Sequence, residues 1–344
     1  METHFDPDRA ARPGSGIFGL SCPSTEAAIH VIAAPYDATS SYGVGAAQGP
    51  EAVLRASRQV ELHDPAIGDP WRRGLYYLPD DGTLAGYNEE ARPLAREVFD
   101  GGGAGEAPEL LHALARVNEL SARMNDVVYH RTSTVINEGR TPILLGGDHS
   151  VSFGAVRAAC EHYAGLGLLH FDAHADLRPA YEGFTWSHAS ILHNLTKELG
   201  GLGPTLQVGL RDLGHAEYEE IEAHPDRLRA VFDSEWSRAR LEGRDLAAFV
   251  RDALAFLPEQ VWITFDIDGL EPALCPHTGT PVPGGLTWAE AMLWLEELRA
   301  SGRQVVGCDL VEVSPGPALS GGDSWDAIVG ARLLYRLAGT LSKA

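Results

Sequence analysis

The sequence predicts an α/β fold, a single domain arranged as a three-layer α/β/α sandwich around one largely parallel sheet. Two observations predict it. From about residue 107 onward, short apolar runs alternate with stretches of helical periodicity, the pattern of strand–helix–strand crossovers. Several of those runs end on an acid or a histidine, and open α/β sheets bind their ligands beyond the carboxyl ends of the strands. At 344 residues the chain has the size of one large α/β domain, and it shows neither a repeat nor an interdomain linker.

Residues 1–25 are rich in Pro and Gly without periodicity, which predicts a loose N-terminal arm ahead of one domain over 26–344. The apolar run 28–34 reads as a first buried strand. Pro35-Tyr36-Asp37 and Ser40-Ser41-Tyr42-Gly43 follow as a loop at its carboxyl end, and Gly49-Pro50-Glu51 opens a short helix with proline in its first turn. Residues 65–107 mix turns with one helix, and Gly101-Gly102-Gly103 marks an exposed loop. Leu110, Leu111, Leu114, Val117 and Leu120 recur at helical spacing within 107–137. Beyond them strands are expected at 143–145, 166–171, 206–208, 261–265 and 305–308. Helices are expected between them, near 150–160, 187–198, 244–255, 288–300 and 324–337.

Composition narrows the partners. A formal charge of −21, from 48 acids against 27 bases, argues against nucleic acid or anionic membranes, since both demand basic patches. It favours cationic ligands, both metal ions and a positively charged substrate, while the bulk of the excess serves as a solubility surface. No apolar run reaches the roughly 20 residues that span a bilayer. The opening Met1-Glu2-Thr3-His4-Phe5-Asp6 lacks the basic-then-apolar pattern of a signal peptide. Cys22, Cys160, Cys275 and Cys308 are scattered without paired spacing, which suits a reducing compartment. A cytoplasmic protein is expected.

Five stretches carry the chemistry. Asp172-Ala173-His174-Ala175-Asp176 places three donors two residues apart, so in an extended segment all three face one way. Carboxylate with neutral imidazole suits Mn²⁺, Zn²⁺, Co²⁺ or Ni²⁺ better than Ca²⁺. Asp266-Ile267-Asp268-Gly269 repeats the device on another strand. Two acids so close repel each other unless a cation lies between them, and an Asx-turn accounts for only one of the two. His149 follows Gly146-Gly147-Asp148 and joins this set, with Asp148 left as a supporting or capping group. His188, in Trp186-Ser187-His188-Ala189-Ser190, is placed to move protons. Glu312, between Val311 and Val313, ends an apolar strand, and a buried glutamate needs a partner. A planar guanidinium, from a protein arginine or from a substrate, would meet it bidentately.

In their order these blocks resemble the ureohydrolase family, which includes arginase, agmatinase and guanidinobutyrase. The resemblance runs from about residue 34 to 339 and includes Gly146-Gly147-Asp148-His149-Ser150, Asp172-Ala173-His174-Ala175-Asp176 and Phe265-Asp266-Ile267-Asp268-Gly269-Leu270. It also includes Thr278-Gly279-Thr280-Pro281 with Gly284-Gly285-Leu286-Thr287, and Val311-Glu312-Val313-Ser314-Pro315. It implies an arginase-like fold and two divalent ions per subunit, Mn²⁺ or in some members Ni²⁺. His149, Asp172, Asp176 and Asp266 would hold one ion, and His174, Asp172, Asp266 and Asp268 the other. Asp176 would also orient the attacking water, His188 would shuttle a proton to the leaving amine, and Glu312 would bind the guanidinium. A homo-oligomer, trimer or hexamer, is implied as well.

Two departures matter. Glu271 stands where the family often has aspartate, a change to a turn and not to a ligand. The loop 177–186 carries Arg178, Tyr181, Phe184 and Trp186 where arginases place small polar residues that grip an amino-acid substrate. A short guanidino compound such as agmatine or guanidinobutyrate, or guanidine itself, is therefore expected in place of arginine. One aromatic could stack on the flat cation, and packing of the loop accounts for at least two of the three. The alternatives are a formimino C–N hydrolase of the same family and a catalytically inactive metal-binding assembly subunit.

Overall fold

Alternate residues along each strand feed opposite faces of one sheet, and that alternation organises the molecule. The computed structural model describes residues 5–12, 14–317 and 324–342. In chain order the elements are β1 (Ile29–Ala34), α1 (Gly49–Ser57), β2 (Leu75–Leu78), α2 (Thr83–Asp100), α3 (Pro108–Asn137) and β3 (Thr141–Gly146). Next come α4 (Ser152–His162), β4 (Gly167–Phe171), α5 (Ile191–Glu198), β5 (Thr205–Leu210), α6 (His215–Ala223) and β6 (Leu228–Phe232). The chain finishes with α7 (Asp233–Leu241), α8 (Leu246–Leu254), β7 (Gln260–Asp266), α9 (Trp288–Ala300), β8 (Gln304–Val311) and α10 (Trp325–Thr340).

The sheet order is β2-β1-β3-β8-β7-β4-β5-β6, with every neighbouring pair parallel. Val31, Ile143, Leu169, Ile263 and Phe265 point into a core shared with α1, α8, α9 and α10. Ile32, Leu144, Leu168 and Trp262 point into the other, under α3, α4 and α5. A sheet covered on both faces needs apolar residues at both phases of its strands, which is why the central strands read as unbroken apolar runs. Among the described residues, no helix is long and apolar enough to cross a membrane.

The predicted strands and helices appear within a few residues of their expected bounds. The exceptions are β2, β6, α6 and α7, which the sequence reading did not place. Both strands lie at sheet edges and are four and five residues long, too short for periodicity to register. The arm also needs correction. Ile17, Phe18 and Leu20 are buried in the core, Phe18 lies edge-on to Tyr335 at 4.9 Å, and its N–H donates to Ser57 Oγ at 2.9 Å. Residues 17–20 therefore belong to the domain, because three large apolar side chains outweigh the local Pro and Gly content.

Strand order matters most for the chemistry. β3, β8, β7 and β4 are consecutive in the sheet although the chain visits them in the order β3, β4, β7, β8. His149, Glu312, Asp266 and Asp172 follow or end these four strands. Strands about 4.8 Å apart bring such side chains into one crevice at the carboxyl edge.

Candidate active site

After β3 the chain turns on Gly147, where a Cβ would lie 2.0 Å from the Tyr36 carbonyl oxygen; only glycine allows that approach. Asp148 then caps the short turn 149–151, accepting from Ser150 N–H at 3.1 Å and from Thr39 Oγ1 at 3.2 Å. This turns His149 toward the crevice. Trp262 Nε1–H and Thr264 Oγ1–H both donate to Asp309, each at 2.7 Å. With its one proton committed, Thr264 Oγ1 accepts from His149 Nε2 at 2.9 Å, so the neutral form of His149 keeps its lone pair on Nδ1.

That lone pair faces three carboxylates. His149 Nδ1 lies 3.1 Å from Asp172 Oδ2, 3.1 Å from Asp176 Oδ2 and 3.5 Å from Asp266 Oδ2. It is buried and has no hydrogen-bond partner. A second group shares Asp172, with His174 Nδ1 3.3 Å from Asp172 Oδ1 and 3.1 Å from Asp268 Oδ2. An orphaned imidazole nitrogen ringed by acids is what a bound cation would satisfy; His149, His170, Asp172 and Asp176 form one group that could hold a metal ion and Asp172, His174 and Asp268 another, with Asp266 beside the first. The residues present fit two divalent ions sharing Asp172. Asp266 Oδ1 accepts the Asp268 N–H at 2.8 Å, the Asx turn, which frees only Oδ2 for the crevice.

Not every donor arrives as an extended segment would deliver it. Asp176 has φ +53° and Glu312 φ +62°, the left-handed region that residues with a Cβ avoid. Each costs on the order of 1–3 kcal/mol and persists where the surroundings over-determine it. Asp176 thus reaches His149 through a turn and not through two-residue alternation.

Titration reflects crowding. Burial, then Asp172, pushes Asp176 up to about 7; burial, then Asp268 and Asp172, raises Asp266 well above the usual carboxylate range. Burial alone would lower His149 and His174. Asp172 and Asp176 outweigh it at His149, and Asp268 and Asp172 lift His174 to about 12. Burial would likewise raise Asp172, yet His170, His149 and His174 hold it well below normal.

These directions set a pH dependence for chelated protein. A group raised in the folded state contributes stability below its unfolded pKa and loses that contribution as pH rises through the folded value. Asp176 and Asp266 therefore make the chelated fold less stable from about pH 4 upward, with the Asp176 share lost by pH 8. A bound metal ion would replace those protons. The gap in Tm between metal-loaded and chelated protein is expected to widen from pH 6 to pH 8 by about 5 °C, measured by differential scanning calorimetry. A constant or shrinking gap would contradict this.

A cavity of about 150 Å³ opens over the cluster, lined in part by His149, His174, Asp176, Tyr181, His188 and Glu312. Glu312 is 4% exposed and accepts the His149 backbone N–H at 2.9 Å. Among the described residues no arginine or lysine pairs with it. Burial, then Asp148, raises its pKa well above normal. Burial, then His174 and His149, lowers His188 to about 4, and its ring stands edge-on to Tyr181 at 6.2 Å.

The loop 177–186 divides. Arg178 and Tyr181 line the cavity, with the Arg178 guanidinium 5.7 Å from the Tyr181 ring centre and its Nε 3.5 Å from Glu217 Oε2. Phe184 is fully buried against Phe99, ring centres 5.1 Å apart, and Trp186 packs on Phe153 at 4.8 Å. Neither lines the cavity, which corrects their expected place among the substrate-facing residues. Both anchor the loop, Phe184 as a buried ring and Trp186 as a partly buried one.

Sequence reasoning missed His170, Gln207 and Asp309. Gln207 Nε2–H₂ donates to the Ala175 carbonyl at 2.9 Å and to His170 Nδ1 at 3.0 Å. His170 must then carry its proton on Nε2, donated to Asp172 Oδ2 at 2.8 Å. That makes it an orienting group for Asp172, although it falls within ligand distance of the first set. The available signal was a polar residue in a strand two positions before Asp172 and three before Glu312, for His170 and Asp309; Gln207 precedes no candidate ligand and carried no such signal.

An acid-rich crevice at the carboxyl edge of an open parallel sheet, able to hold two cations beside a histidine and an unpaired glutamate, defines a metal-dependent hydrolase. The arginase family profile matches residues 27–339. The chain is 33% identical over 325 residues to N(1)-aminopropylagmatine ureohydrolase of Thermus thermophilus, covering 94% of each. It is 35% identical over 213 residues to a guanidinobutyrase of Pseudomonas aeruginosa, 61% of this chain and 64% of that one. A hypothetical agmatinase from Burkholderia thailandensis superposes with a TM-score of 0.70 at 23% identity, covering 96% of this chain and 92% of the other; at that identity the likeness shows the fold. The chain belongs to the arginase family, and with it to the ureohydrolase class of metal-dependent C–N hydrolases.

Proposed function

We propose that this enzyme is a binuclear amidinohydrolase that cleaves a small guanidino compound to urea and an amine, or to urea and ammonia if guanidine itself is the substrate. The observation that carries the reading is Glu312, a buried carboxylate without a protein cation, set beside the His149 and Asp176 cluster. Binding a guanidinium would satisfy it with two parallel hydrogen bonds and reverse the burial cost. The relatives named for aminopropylagmatine and guanidinobutyrate support a guanidino substrate.

His149, Asp172, Asp176 and Asp266 would hold one ion, and His174, Asp172, Asp266 and Asp268 the other. Bound divalent cations supply Lewis acidity that lets a water act as nucleophile near neutral pH. Asp176 accepts from that water and orients it. Glu312 fixes the guanidinium plane so that its carbon faces the water, and carbon–nitrogen cleavage follows as the leaving nitrogen takes a proton. His188, neutral at the cavity wall, relays that proton from solvent. Tyr181 and the Glu217-paired Arg178 line the outer wall. The mixed imidazole and carboxylate donors support Mn²⁺, with Ni²⁺ as the alternative. A cytoplasmic trimer or hexamer completes the reading, testable by light scattering and by elemental analysis of purified protein.

The deciding experiment is urea release by Mn²⁺- or Ni²⁺-loaded protein from agmatine, aminopropylagmatine, 4-guanidinobutyrate, arginine and guanidine. Urea from at least one, with arginine poorest, is expected. No urea from any, with either metal, would end the proposal. In the same assay His188→Asn is expected to lower kcat about 10²-fold with little change in KM; unchanged kcat would remove the proton role.

A further inference from the structure

The strap that carries Thr278-Gly279-Thr280 is tied down at its start by a pair outside the cavity, His277 and Asp326. Asp326 opens α10 and is 1% exposed. Its Oδ1 accepts the His277 backbone N–H at 2.9 Å, and its Oδ2 lies 2.9 Å from His277 Nδ1. The ring is pressed against the Gly316 backbone, where a Cβ would lie 2.4 Å from His277 Cγ. His277 is thereby held by α10 on one side and by the chain beyond β8 on the other.

From that anchor the strap runs directly beneath Glu312. Thr278 Oγ1 donates to the Glu312 carbonyl at 3.0 Å. Gly279 lies so close that an added Cβ would be 3.3 Å from Glu312 Oε2. Its carbonyl accepts the Gly43 N–H at 2.9 Å, and Thr280 Oγ1 reaches Asp268 Oδ2 at 3.4 Å. Glu312 itself sits at positive φ, a conformation that outside contacts must hold in place.

We propose that His277 and Asp326 are positioning residues for the guanidinium-binding acid, acting on Glu312 through Thr278 and Gly279. Neither lines the cavity, and neither belongs to the two metal-binding groups. The pair fixes where the strap lies, and the strap fixes the Glu312 carboxylate against the cluster. Loosening it by a fraction of an ångström is enough to misplace a bidentate contact. The inference rests on the proposed role of Glu312.

The test uses the metal-loaded full chain and whichever guanidino compound wild type turns over. His277→Ala and Asp326→Ala are expected to raise KM about 10-fold with kcat within about 3-fold and the wild-type metal content. His277→Asn, whose amide N–H can reach Asp326, restores KM to within about 3-fold. Independently of substrate, amides 278–280 exchange hydrogen about 10-fold faster in the alanine variants. A folded His277→Ala protein with wild-type KM and exchange overturns the proposal, even if Asp326→Ala fails to fold. A loss confined to kcat or metal content, with KM unchanged, also overturns it. If wild type releases urea from nothing, the functional reading has failed, and unchanged exchange would overturn the anchor separately.

Discussion

Glu312→Gln is expected to lower kcat/KM for the guanidino substrate by about 10²–10³, with the metal content of wild type. Truncating the charge of one partner in a buried, hydrogen-bonded ion pair costs roughly 2–5 kcal/mol, and each 1.4 kcal/mol is about tenfold in rate. The substitution keeps shape, and the amide oxygen can still accept the His149 N–H now bonded to Oε1. Stability should move the other way. The Glu312 pKa is raised by burial, then by Asp148, so its charge destabilises the chelated fold increasingly as pH rises. Glutamine abolishes that loss, and the chelated variant should melt above chelated wild type at pH 8. Steady-state kinetics, elemental analysis and calorimetry check the three statements. Activity within about 3-fold of wild type would show that Glu312 does not bind the reacting group.

Asp172→Asn should be the most damaging single change. Asp172 faces the histidines of both donor sets: Oδ2 lies 3.1 Å from His149 and 2.8 Å from His170, and Oδ1 lies 3.3 Å from His174. Metal content is expected to fall below one ion per subunit and urea release by at least about 10³, since an uncompensated buried cluster costs several kcal/mol. Here stability falls. The histidines hold Asp172 well below the usual carboxylate range despite its burial, so its ionised form supports the fold above the unfolded pKa, at every neutral pH. The two variants therefore shift the melting point of chelated protein in opposite directions. Full metal content in folded Asp172→Asn protein would mean that the shared-carboxylate geometry is not what holds the ions.

Much of this site could be read from the chain alone, because the informative residues sit where local pattern is strongest. Asp172 and Asp266 follow continuous apolar runs, so strand, strand end and ligand are legible within ten residues. Glu312 was legible for the same reason, although β8 extends to Val311, further than the apolar run suggested. That at least two of the three rings in the 177–186 loop serve packing was legible; which two was not. Phe184 and Trp186 look the same in sequence as Tyr181, and only their neighbours Phe99 and Phe153, distant along the chain, decide that two of the rings are packing and one is wall. His170 was hidden differently. It reads as part of a strand, and its role appears only once Gln207 from the adjacent β5 fixes its tautomer.

By itself the sequence determined the alternation of strands and helices, the six acids and histidines at strand ends, and a glutamate in need of a cation. Periodicity and residue chemistry are local properties, and a stretch of ten residues carries them. The tertiary structure alone decided the strand order that sets β8 and β7 between β3 and β4. It also decided the left-handed turns at Asp176 and Glu312, and the anchoring of the strap by His277 and Asp326. These depend on which distant surfaces bury each other, and that free energy belongs to pairs of segments and not to any one of them.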